Sequence, residues 1–338
     1  MVNRLYNSAL RKVKEINIQK GFKGVLYVSL MTAIVISCVY LFSFSVTADR
    51  DGVKYLIGMS QCNLGEPYRI QMNEELLREA QKYPDIKIIF TDAVQDNEKQ
   101  IEDVKKLMKL GIDLLIISPN EYESQTSIIS EAYKSIPVIV LDRKISSDDY
   151  TLFIGADNYV IGQRAGEYVK SLSGKSEVNV VEIMGLPGSM PTSERSKGFR
   201  ESISDAPNIQ VVDYLVANWL RDFADDVFAS YLTANPDLKI DVVYAHNDPM
   251  ALGAYRAASR MGKASDIVFM GIDGLDGEEG GLNLIKNNIL DITFIYPTGG
   301  KEAIEYARDI LSGKAVDNKQ VILNNIQVDK SNYDLYMK

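Results

Sequence analysis

Ile136-Pro137-Val138-Ile139-Val140-Leu141-Asp142-Arg143 is the stretch from which the fold is read. A β-rich apolar run over 137–141 stops on a carboxylate and a guanidinium, and the helical-period segment 122–134 precedes it. The same alternation extends in both directions. Short β-rich runs recur at 54–59, 86–91, 112–118, 178–184, 209–216, 241–245, 267–271 and 291–296. Helical-period segments fall between them at 68–83, 95–110, 192–202, 219–234, 249–261 and 282–287. Regular βαβα order implies parallel sheets with helices on both faces. Nine or more strands exceed one comfortable open sheet. The expected fold is therefore α/β, with two doubly wound parallel-sheet lobes.

In parallel α/β sheets, ligands bind beyond the carboxyl ends of the strands. The residues just after each run are thus the candidates: Glu66, Tyr68 and Arg69; Ser118 and Asn120; Asp142 and Arg143; Arg195; Trp219; Asn247 and Asp248; Asp273; and Tyr296. Such a set suits a polyhydroxylated ligand. Acids, amides and guanidiniums make paired hydrogen bonds to neighbouring hydroxyls, while Trp and Tyr rings cover the C–H faces of a sugar. Each position also has a plainer reading. Asp142-Arg143 reads as a local ion pair, Asn247-Asp248 as the cap of the helix opened by Pro249, Glu66-Pro67 as a helix start, and Trp219 as core. If Asp142 and Arg143 pair at a cleft, removing Asp142 weakens ligand binding and leaves the ligand-free melting temperature nearly unchanged.

The chain's location is read from its start. Between Lys23 and Asp49 lie 25 uncharged residues. At about 1.5 Å per residue, that is enough helix to cross a hydrocarbon core of roughly 30 Å. Six basic residues and one acid precede it. The positive-inside rule keeps 1–23 in the cytoplasm, makes 24–48 a transmembrane helix and exports 49–338. Two cleaved-signal readings compete: a peptidase site at Val46-Thr47-Ala48 and a lipoprotein box at Val35-Ile36-Ser37-Cys38. The long basic leader and the long apolar run favour a retained anchor.

The leader carries +5 and the whole chain −9, which leaves −14 on the remainder. With no basic stripe, nucleic acid is not an expected partner. Cys38 falls in the apolar run and Cys62 in the exported part, so no disulfide forms within that part and Cys62 reads as an inert thiol. The single histidine, His246, leaves His-based metal clusters and Ser–His or Cys–His machinery short of parts. No phosphate-binding glycine loop follows a strand, and 274–281 lacks calcium-loop spacing. No catalytic residue, cofactor or metal is expected. A two-carboxylate glycosidase is the enzyme alternative by residue type.

At these residues the chain resembles the type I periplasmic binding proteins, and within them the ribose-binding group. The segments that carry the likeness include Glu66-Pro67-Tyr68, Leu110-Gly111-Ile112-Asp113, Asp142-Arg143, Ile154-Gly155-Ala156-Asp157-Asn158, Glu194-Arg195-Ser196-Lys197-Gly198-Phe199, Ala245-His246-Asn247-Asp248-Pro249 and Gly271-Ile272-Asp273-Gly274. They run in the family's order and spacing over about 53–325. The resemblance implies sugar contacts at Tyr68, Asp142, Arg143, Arg195, Trp219, Asn247 and Asp273, with Trp219 and Tyr68 sandwiching the ring. Departures are Glu66 where Asn is usual, Arg69 for a second aromatic, Ser118 for Asn and Tyr296 for Gln, so a ribopyranose site is not copied whole. It also implies a hinge of three crossings, with lobe 1 at about 53–156 and 297–323 and lobe 2 at about 157–296 and 324–338.

A retained anchor makes the chain resemble the exported sensor region of Bacteroidetes hybrid two-component systems. There a second membrane segment and a histidine kinase follow the binding domain, and a homodimer is one expected state of the full-length sensor. The implied ligand is a monosaccharide, with a ketohexose such as fructose as the specific expectation. The alternative is an anchored or lipidated binding component of a sugar importer. Regulators of the lactose-repressor type share this core but carry a DNA-binding helix-turn-helix where the apolar run stands here.

Overall fold

The computed structural model describes residues 52–337 apart from Lys175. The leader 1–23 and the run 24–48, with the membrane-helix reading placed on them, lie outside the described residues. Among the described residues, no helix is long and apolar enough to cross a membrane.

Two six-stranded sheets repeat one topology. The first holds β1 (Tyr55–Gln61), β2 (Ile86–Asp92), β3 (Leu114–Ile117), β4 (Val138–Leu141), β5 (Leu152–Ala156) and β11 (Gln320–Leu323), in the order β11-β5-β4-β3-β1-β2 and all parallel. The second holds β6 (Val178–Met184), β7 (Ile209–Val216), β8 (Val242–Ala245), β9 (Val268–Met270), β10 (Ile292–Ile295) and β12 (Ile326–Asp329), in the order β12-β10-β9-β8-β6-β7. Only β12 runs antiparallel to its neighbour. The inner strands β3 and β4 read LLII and VIVL and are wholly buried, because helices cover both sheet faces.

The helices are α1 (Pro67–Ala80), α2 (Asn97–Lys109), α3 (Thr126–Tyr133), α4 (Asn158–Ser173), α5 (Met190–Ile203), α6 (Arg221–Ala234), α7 (Asp248–Arg260), α8 (Gly281–Lys286) and α9 (Gly300–Leu311). Their starts are chemically marked. Pro67 opens α1, where its missing N–H costs nothing. Asp96, Asp157 and Asn247 cap α2, α4 and α7 by accepting from the N–H of Lys99, Val160 and Met250. The periodicity reading names no β5, β11, β12, α4 or α9. Of these, β11 is four residues long and partly exposed at a sheet edge, so it carries little pattern.

The chain passes between the sheets after β5, after β10, and between β11 and β12. Further contacts join the lobes away from these crossings. The Tyr122 N–H donates to the Gly188 carbonyl at 2.9 Å. Gln95 Nε2 donates to the Asn218 carbonyl at 3.2 Å, and the Arg221 N–H donates to Glu66 Oε1 at 2.8 Å. The cleft is closed over.

Candidate functional site

The strand order reverses between β1 and β3 in one sheet and between β6 and β8 in the other, and ligand crevices form at such points. A small cavity lies there, lined by residues of both lobes. With Asn120 and Asp248 outside it, ten of the thirteen strand-end candidates line it: Glu66, Tyr68, Arg69, Asp142, Arg143, Arg195, Trp219, Asn247, Asp273 and Tyr296. Ser118 does not. It sits behind Arg69 and accepts from its Nη1 at 2.7 Å, so its contribution is to aim the guanidinium.

On the first lobe's wall, Asp142 ends β4 with φ at 69°, a left-handed conformation that is uncommon outside glycine. Its close partner is Arg69, not its neighbour Arg143. Arg69 Nη2 lies 2.5 Å from Asp142 Oδ2, whereas Arg143 Nε is 3.8 Å away. Tyr296 donates its hydroxyl to Asp142 Oδ1 at 2.8 Å. Burial pushes this carboxyl upward, but Arg69, Arg143 and the Tyr296 hydroxyl more than offset it and hold it below the usual carboxylate range. Tyr68 donates to the Pro297 carbonyl and meets Tyr296 edge to face at 5.5 Å.

On the second lobe's wall, Trp219 does not begin a helix. It and Asn218 have φ of 73° and 53° in the loop before α6. Two features hold this conformation: Asn247 Nδ2 donates to the Trp219 carbonyl at 3.1 Å, and the indole lies against Gly185, where a Cβ would overlap the ring. Asn247 thus both caps α7 and braces Trp219. The guanidiniums of Arg143 and Arg195 each stand 5.4 Å from the indole centre, within cation–π range. Asp273 follows β9 with φ at 139°. Burial, then the nearby Asp248 charge, pushes its carboxyl well above the usual range. Asp248 itself lies behind the cavity, accepting from Thr293 Oγ1 at 2.6 Å and from the Gly274 N–H at 2.7 Å. His246 is buried with its Nε2 3.0 Å from Glu182. Burial lowers its basicity, which suits a neutral ring donating to that carboxylate.

Glu66 belongs to both the cavity and its closure. One oxygen accepts from Arg221 across the cleft, while Oε2 is buried with no protein partner. Arg143 Nε and Trp219 Nε1 are likewise buried with no hydrogen-bond partner. The strand-end reading omits two lining residues, Asn63 and Pro191. Asn63 stands two positions past β1, so the same rule carried a little further would have reached it. Among the described residues, no group of three or more His, Cys, Asp or Glu is placed to hold a metal ion.

The wider comparisons agree with this architecture. The chain is 34% identical over 266 residues to the ribose import binding protein RbsB of Bacillus subtilis, covering 78% of this chain and 84% of that one. Among solved structures, the fructose-binding periplasmic domain of hybrid two-component system BT1754 is 46% identical with a TM-score of 0.79, covering 83% of this chain and 92% of that one. A Mycobacterium smegmatis protein in complex with β-D-fucofuranose is 28% identical with a TM-score of 0.77, covering 83% and 93%. Residues 57–315 match the periplasmic binding protein domain family. With two lobes of this topology around a shared cavity, the chain belongs to that family.

Proposed function

We propose that this chain is the monosaccharide-sensing region of a membrane-anchored hybrid two-component system, and that its ligand is fructose. One observation carries the sugar reading: Glu66 Oε2, Arg143 Nε and Trp219 Nε1 are buried without hydrogen-bond partners in the protein, and all three residues line one cavity. Leaving such a group unpaired costs about 1–3 kcal/mol. Hydroxyls, which donate and accept, satisfy an acceptor and two donors alike, and the Trp219 face covers the ring carbons. The same residues explain the carboxylates without invoking hydrolysis. Fructose and the sensor role are supported by the 46% identity to the BT1754 domain. The retained anchor is supported by the uncharged run 24–48 behind a basic leader.

Calorimetric titration of the full chain in detergent with D-fructose, D-ribose, D-galactose and L-arabinose tests the ligand. Heat with D-fructose alone is expected. A preference for D-ribose would overturn the fructose assignment and favour an importer component, the reading supported by the 34% identity to the ribose import protein. Alkaline carbonate extraction of membranes tests the anchor, and release into the supernatant would overturn it.

A further inference from the structure

Asn158 does not line the cavity, yet two residues that do are tied to its side chain. It is fully buried and opens α4 immediately after the chain leaves β5 for the second lobe. Arg195 Nε donates to its Oδ1 at 2.8 Å. Its Nδ2 lies 3.2 Å from the Tyr296 hydroxyl, and that hydroxyl lies 2.8 Å from Asp142 Oδ1.

The proton directions along this chain follow from chemistry. A guanidinium only donates, so the amide oxygen must face Arg195 and the amide nitrogen must face Tyr296. That nitrogen also only donates, so the Tyr296 oxygen accepts from it. The single phenolic hydrogen is then left for Asp142. The backbone permits this because α4 and α5 touch main chain to main chain. A Cβ on Gly162 would overlap the Arg195 carbonyl, and one on Gly198 would overlap the Tyr159 carbonyl. That approach brings Arg195 onto Asn158, while Arg195 Nη1 donates to the His246 carbonyl.

We infer that Asn158 is a positioning residue that turns the Tyr296 hydroxyl toward Asp142 and fixes Arg195 on the second lobe's wall, so that the cavity presents an oriented acceptor. With one hydrogen on each carboxylate oxygen, from Tyr296 and from Arg69, Asp142 keeps its remaining lone pairs for ligand hydroxyls. This rests on the sugar-binding reading for its affinity readout only.

Asn158→Asp tests the proposal, because it keeps the acceptor facing Arg195 and replaces the donor that faces Tyr296 and, at 3.4 Å, the Ala156 carbonyl. The full chain is compared with N158D, Y296F and N158D/Y296F. N158D should weaken D-fructose binding about tenfold or more, the effect of one lost hydrogen bond to a charged group. In the Y296F background the same change should have little further effect.

Multiplying losses in the double variant would overturn the inference. If wild type binds no D-fructose, the ligand assignment fails and ligand-free melting decides instead. N158D must then lower the melting temperature more with Tyr296 than with Y296F, and equal drops overturn the proposal. Should N158D not fold, Asn158→Ser takes its place in the same cycle.

Discussion

Asp142 and Asp273 follow the fourth strand of each sheet in chain order, β4 and β9, and both line one cavity with positive φ. Their surroundings differ. Arg69 and Tyr296 supply a hydrogen to each oxygen of Asp142, and its carboxyl is held down. No hydrogen bond from the described residues reaches the Asp273 carboxylate; Asp248 stands behind it, and its carboxyl is pushed up. The corresponding arginine of the second lobe, Arg195, is spent on Asn158 and the His246 carbonyl. The Asp142 carboxylate is thus paired before a ligand arrives, and the Asp273 carboxyl is not. A ligand that satisfies the second wall gains most when the lobes are together, so the difference favours the closed state.

The largest break in that comparison is Asp142→Ala. It leaves Arg69 buried and unpaired, at a cost of about 3–5 kcal/mol. A ligand-free melting temperature lower by roughly 6–20 °C is expected, and calorimetric scanning measures it. This replaces the sequence-based expectation of unchanged melting, which took Arg143 as the partner. Recovery of most of the loss in R69L/D142A would tie the effect to the stranded guanidinium; no recovery would refute it.

Gly185→Ala comes next. The added methyl cannot coexist with the Trp219 ring, so the indole must move toward the cavity. A sugar affinity about tenfold weaker, with altered Trp fluorescence, is expected from overpacking of about 1–3 kcal/mol. Unchanged fluorescence and affinity would show that the indole position does not shape the site.

Asp273→Asn should have the smallest effect and the opposite sign. A carboxyl raised in the fold contributes stability that is fully present below its unfolded value, near pH 4, and lost as pH rises through its folded value. Removing it should raise ligand-free melting by a few degrees at neutral pH, with the gain vanishing toward pH 4. Asp142, lowered in the fold, contributes stability present above that unfolded value and lost as pH falls through its folded one. Melting curves of both variants from pH 4 to pH 8 therefore slope apart, and parallel slopes would erase the distinction between the walls.

The sequence makes the lobes and the wall residues legible because parallel strands place their ends on one side, so position along the chain translates directly into position at the cleft. It does not reveal which groups pair. Asp142 has Arg143 beside it in sequence, yet its partner is Arg69, 73 positions earlier, brought over by α1. Asn158 is hidden for the same reason: its role depends on how closely α4 and α5 approach, which no periodicity records. Ser118 is a strand-end residue whose side chain is spent behind the wall.

Helix α6 has no cap of its own, since Leu220 stands at the capping position and offers no acceptor. Its first N–H is held by Glu66 from the other lobe. When the lobes part, that amide loses its protein acceptor and faces water. Deuterium uptake at Arg221 then becomes a built-in gauge of lobe separation, readable by mass spectrometry without attaching any probe. Time spent open accumulates as uptake at that backbone position, while the amides deeper in the same helix stay protected by their helical bonds.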